Sequence, residues 1–99
     1  MGDAAVGGGG TIRGVVGAIT WAYYTAARIE GYTVTRSSTG AWSLSATIVV
    51  ADAFKLSQRP LQFVAPHQKG KWTWPITDLE LGNSAGVRHI RATLGPPLE

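Results

Sequence analysis

The residues best suited to chemistry lie together at 67–74, HQKGKWTW. His67, Lys69 and Lys71 supply positive groups, and Trp72 and Trp74 supply flat rings. Cations interleaved with aromatic rings suit single-stranded nucleic acid, because lysines meet phosphates and bases stack on indoles. Arg59, Arg88 and Arg91 extend this patch if the last strand pairs with 71–81. The same tryptophans also have a structural reading. Trp72 and Trp74 share the apolar register with Ile76, as core residues do, and a buried indole needs only one partner for its N–H. A third reading is an anchor for a protein interface, where tryptophan is enriched.

Other chemistry has little material. The carboxylates are Asp3, Glu30, Asp52, Asp78, Glu80 and Glu99. Asp78 and Glu80 are two apart on an expected strand, so they share a face. Such a pair suits acid/base work or a cation. The pattern favours the simpler reading, the solvated side of a strand that turns Leu79 and Leu81 inward. His67 and His89 are far apart, and Arg88 and Arg91 flank His89 closely, which is hostile to a cation. No metal and no cofactor are expected. Serine lacks the G-x-S-x-G elbow, and the glycine run matches neither G-x-G-x-x-G nor a Walker motif. The chain therefore reads as non-enzymatic.

Composition agrees with a binding module. Ninety-nine residues fit one domain, and 44% hydrophobic content supports a core. Charged residues are only 15%, which argues against disorder. There is no cysteine, so disulfides and thiolate metal sites are excluded. The net charge is +3 and the pI about 9.7, mildly basic, which is a weak pointer to nucleic acid. No signal peptide is apparent in the first residues. The longest apolar stretch, between Arg13 and Arg28, falls short of the roughly 20 residues a spanning helix needs. A cytoplasmic protein with no membrane partner is the expectation.

These side chains need a scaffold, and the patterning predicts one that is mainly β. Trp42, Leu44, Ala46, Ile48 and Val50 alternate with Ser43, Ser45, Thr47 and Val49, the period of a half-buried strand. Residues 32–36 alternate too, and Ser37-Ser-Thr-Gly40 has turn chemistry, so 31–51 is predicted as a hairpin. Residues 71–81 and 87–94 form a second expected hairpin around the loop 82–86. Pro75 removes a ladder donor and predicts an edge or a break there. Residues 61–64 read as a short strand between Pro60 and Pro66. Residues 52–58 fit one helical turn capped by Asp52, or an extended corner. Residues 14–30 fit two patterns. Val15, Ile19, Ala22, Ala26 and Ile29 make a helical stripe, whereas the odd positions from Ile19 to Ile29 make a strand face. Threonine, aromatic and isoleucine content favours the strand; four alanines favour the helix. The expected fold is a small antiparallel barrel or sandwich of five to six strands, shifting to α+β if 14–30 is helical. Residues 1–10 are read as a flexible glycine-rich tail and 11–95 as the domain. Residues 96–99 are read as a second tail, in which Leu98-Glu99 resembles the scar before an affinity tag.

Sparse landmarks run from Trp42 to Leu94. They are Trp42-Ser-Leu44-Ser-Ala46, Asp52-Ala-Phe54-Lys-Leu56, Arg59-Pro60-Leu61-Gln-Phe63-Val64, Trp72-Thr-Trp74-Pro75-Ile76 and Ala92-Thr-Leu94-Gly95-Pro96-Pro97. In these the chain resembles small proteins carried by phages, prophages and other mobile elements. The resemblance supplies no catalytic residue. It implies action by binding, either to nucleic acid or to a host protein whose activity is blocked. The leading expectation is a module that binds and inhibits a host protein. The alternative is nucleic-acid binding through Arg59, His67, Lys69, Lys71, Trp72, Trp74, Arg88 and Arg91. A third is a self-associating structural protein, and homo-oligomers fit that reading.

Overall fold

A computed structural model describes residues 10–68 and 70–98, with only the backbone of His67. The order is β1 (Gly10–Trp21), β2 (Tyr24–Arg36), β3 (Trp42–Ala51), α1 (Ala53–Leu56), β4 (Leu61–His67), β5 (Gly70–Ser84) and β6 (Val87–Leu94). All neighbours pair antiparallel, and the ring closes in the order β1-β2-β3-β6-β5-β4. Two three-stranded meanders are thus joined by α1. The expected barrel of five to six strands is present, with six. The glycine-rich tail lies outside the described residues except for Gly10, which begins β1.

The segment 14–30 resolves as strand, but as two strands rather than one. Ala22 and Tyr23 form the turn between β1 and β2, and Ala22 takes φ 54°. The alanines that suggested a helix serve the barrel instead. Ala26 and Ala27 are buried, where small side chains let α1 approach β2. Asp52 caps α1, its Oδ1 accepting from the Lys55 N–H at 3.1 Å. The helical turn is therefore the form taken by 52–58.

Alternation sends one face of each strand inward, and local irregularities change which face. On β3, Leu44, Ala46 and Ile48 are buried as expected, but Val50 is exposed. Arg28 registers with Val50 while Ile29 registers with Ile48, so Val49 is an extra residue that flips the strand. On β2, Gly31 and Tyr32 together oppose Ala46, and Gly31 takes φ 58°. That bulge is why Ile29 and Tyr32 both point inward. On β5 the shift falls between Ile76 and Asp78. Trp74 and Ile76 before it are inward, and Leu79 after it packs against the core.

Pro75 neither breaks β5 nor ends it. Residues Gly70–Ile76 pair with β4, and Ile76–Ser84 pair with β6. Pro75 stands at the change of partner. Its carbonyl accepts from the Gly95 N–H at 2.8 Å. Its nitrogen points the same way, past the end of β6, where no ladder donor is required. The strand is an edge only on that side, and the segment 95–98 lies along it, with the Leu98 N–H donating to Thr73 O at 2.7 Å.

The core is aromatic at its centre. Phe63 stacks on Trp74 with centroids 5.4 Å apart, and Tyr32 meets Phe63 edge-on at 5.1 Å. Trp42 and Trp72 contact Trp74 at 5.9 and 5.7 Å. The rings need space beneath β1, and glycine supplies it. A Cβ on Gly14 would overlap the Tyr32 ring, and one on Gly17 would lie 2.7 Å from Phe63. Desolvation raises the Tyr32 phenol above its ordinary value.

The outer face carries cross-strand rows of polar side chains. Thr11, Thr35, Ser43, Thr93 and Asp78 are successive register partners across β1, β2, β3, β6 and β5. Arg13, Thr33, Ser45, Arg91 and Glu80 form the next row.

Candidate functional site

The barrel scatters the residues of the expected basic and aromatic face. Trp74 is 0% exposed, so it offers no face to a base, and its core reading is the correct one. Trp72 is half-buried, its ring set edge-on to Trp74. Lys71 is exposed and registers with Pro66, while the backbone of His67 registers with Gly70. Lys69 lies outside the described residues. Arg88 and Arg91 belong to β6, which pairs only with the second half of β5. Arg88 is opposite Asn83, far along the strand from Lys71. Arg91 is opposite Glu80 in the register, on the part of β5 beyond its pairing with β4. Arg59 is beside α1, and its Nη1 donates to Leu56 O at 3.1 Å and Gln58 O at 3.3 Å. The structure therefore corrects the single-patch reading. The assumed pairing exists, but the register takes the arginines away from Lys71 and Trp72.

Asp78 and Glu80 do share the exposed outer face. They line a shallow groove of about 380 Å³ with Ser43, Ser45, Thr93 and Arg91. Leu79 is partly buried opposite them, but Leu81 is 58% exposed, because β5 and β6 run on past the barrel wall. His89 registers with Thr47 and Gly82. Among the described residues, no three His, Cys, Asp or Glu side chains converge as a metal would need. No helix among them is long and apolar enough to cross a membrane.

A different cluster forms at the end of the barrel where β1 turns into β2. Tyr23 is 98% exposed at the tip of that turn. Positive φ at a non-glycine residue is unusual, and Ala22 adopts it immediately before Tyr23. Tyr24 follows, 55% exposed, with its ring 6.1 Å from Trp21. Lys55 Nζ stands 5.3 Å from the Tyr24 centroid, joining the tip to α1. Phe54, its neighbour on α1, is 68% exposed. The Asp52 cap fixes α1 and pairs with Lys55 at 3.8 Å, orienting the ammonium toward the ring. Between β2, β3 and α1 lies a hollow of about 460 Å³ lined by Thr25, Arg28, Val50, Ala51 and Lys55.

These residues were present in the sequence as an aromatic run, Trp21-Ala-Tyr23-Tyr24. Their exposure was not readable, because it depends on a turn falling inside a stretch that alternates well as one strand. Phe54 was hidden for a similar reason. On a four-residue helix with Leu56 as its only buried residue, it faces away from the core.

No family model, no curated protein and no solved structure matches this chain. The reading of this end rests on its physical chemistry.

Proposed function

We propose that the protein is a non-enzymatic module that binds another protein through the end formed by the β1–β2 turn and α1. The observation that carries this is the exposure of Tyr23, Tyr24 and Phe54, with Lys55 joining the Tyr24 ring to α1, beside a hollow that exposed Val50 lines. Water gains when such surface is covered, and Tyr, Trp, Phe and Arg are the residues enriched at interface cores. The Tyr23 backbone is fixed by the turn, so less freedom is lost on docking. Arg28 and the Asp52–Lys55 pair rim the hollow, leaving a net positive border that favours a partner with an apolar centre and an acidic edge. A host protein whose activity is blocked on docking is the target class we favour.

The test is affinity capture from a host lysate with the wild type and with Tyr23→Ala/Phe54→Ala. A species retained by the wild type and lost by the folded variant supports the reading. Identical profiles would sink it. Truncating a central anchor costs about 2 kcal/mol or more in binding.

A second reading uses the same end. Lys55 lies over the exposed Tyr24 ring, Arg28 shares its hollow and Arg59 follows α1, a set of cations and a flat ring that suits single-stranded nucleic acid. Titration with single-stranded oligonucleotides at two salt concentrations separates the two. Quenching of the tryptophan fluorescence that weakens steeply with salt favours nucleic acid. An unchanged signal at low salt favours protein.

A further inference from the structure

Among the described residues two long strand edges are unpaired, and they carry opposite charge. β4 covers β1 only at Ala18–Trp21, so Gly10–Gly17 has a partner on one side alone. β4 covers β5 only at Gly70–Ile76, so Thr77–Ser84 likewise pairs only with β6. These segments are the two borders of the five-stranded sheet β1-β2-β3-β6-β5. The outer rows of that sheet begin on Thr11 and Arg13 and end on Asp78 and Glu80. Among the described residues the ion pair is Lys55 with Asp52, so Arg13, Asp78 and Glu80 are unpaired. Exposed apolar groups lie on the same borders: Val15, 76% exposed, and Val16 on β1, Leu81 on β5.

The geometry points to head-to-tail self-association, in which the β5 edge of one copy adds to the β1 edge of the next. Four antiparallel steps separate β1 from β5, so the two strands run in the same direction. A second copy in the same orientation therefore pairs in parallel. Held in row register, its Arg13 faces Glu80 and its Thr11 faces Asp78. Between them its Ile12 meets Leu79, and both are already half-buried against their own cores. The contact joins unlike surfaces, so it repeats as a ring or an open array. Neither border carries a proline or a covering helix among the described residues, so charge is the main guard of each edge, and a partner edge of opposite charge turns that guard into a contact. The inference is independent of the aromatic end, which lies on other residues.

The experiment is sedimentation over a wide concentration range at low and high salt, with two charge-reversed variants. One is Arg13→Glu, the other Asp78→Lys/Glu80→Lys; all three side chains are exposed, and tryptophan fluorescence confirms folding. The wild type is expected to rise above its 10.5 kDa single-chain mass with concentration, less so at high salt. Each variant alone places like charges across the junction, raising the dissociation constant at least about tenfold. An equimolar mixture restores opposite charges at both junctions and regains the larger mass. A wild type that stays at single-chain mass throughout overturns the inference. So do variants that associate like the wild type, or a mixture that does not recover.

Discussion

Where Gly17 passes over Phe63, one methyl group decides whether the aromatic core fits. Its missing Cβ would stand 2.7 Å from a ring carbon that is itself held by Trp74. Gly17→Val is expected to cost about 1–3 kcal/mol by overpacking, read as a lower urea midpoint with an unchanged slope. Trp74→Ala creates the opposite fault, a cavity, and is expected to cost about 3–5 kcal/mol. The Trp74 Nε1 is buried without a hydrogen-bond partner, so Trp74→Phe should cost far less, since it removes an unsatisfied donor. Tyr32 gives the molecule an alkaline limit. Its folded value is raised by burial, so the unfolded chain ionises first as pH climbs. Stability from this group is full below the ordinary 10.0 and is lost as pH rises through and beyond it. Urea midpoints across that range should fall for the wild type and fall less for Tyr32→Phe.

Two of the hairpin turns show how an element's geometry can serve different ends. Ala85 and Gly86 both take positive φ, as a type I′ turn requires. The Gly86 N–H donates to Asn83 Oδ1 at 3.2 Å. Asparagine tolerates this conformation better than alanine, so Ala85→Asn should stabilise by about 0.5–1 kcal/mol. A small domain shows that as a melting temperature several degrees higher. At the β1–β2 turn the same change has a second consequence. Ala22→Gly relieves positive φ and should leave stability level or raise it by up to about 1 kcal/mol. It also loosens the backbone that directs Tyr23, so partner binding should weaken. Stability and affinity moving apart is the result expected if the turn positions Tyr23 for recognition. The α1 cap belongs to the same end, and Asp52→Ala should cost about 1 kcal/mol and free Lys55 from Tyr24.

For the whole molecule, closure rests on a short seam. Only Ala18–Trp21 joins Leu61–Val64, although each meander is internally well paired. The segment 95–98 covers a different opening, the edge of β5 past the end of β6, through its bonds to Pro75 and Thr73. A chain lacking residues 95–99 should melt earlier and scatter more light at high concentration, because the β5 edge beside Trp72 is then uncovered. Measured by calorimetry and light scattering, an unchanged profile would make that segment a bystander. Folding is expected in milliseconds to seconds, since β3–β6 and β1–β4 pairing joins distant parts of the chain.

The sequence by itself determined the class, the main strands and most of the core. Alternation is a local property of the chain, so Leu44, Ala46, Ile48, Ile90, Ala92 and Leu94 declared their faces without help. Ser37–Gly40 likewise carried its own turn chemistry, and Asp52 its cap, whereas the expected loop 82–86 shrinks to Ala85–Gly86 because pairing with β6 carries β5 on through Ser84. Tertiary structure decided whatever depends on which strand lies beside which. A single extra residue at Val49, Gly31 or Thr77 reverses a face, and nothing local announces it. The register of β6 on β5 placed Arg88 and Arg91 away from Lys71, dividing a basic patch that strand pairing was expected to join. The turn at Ala22 and Tyr23 cut one apparent strand into two and left aromatic side chains in water. Burial and proximity are set by free energies summed over distant partners, so they exist only once the barrel has closed.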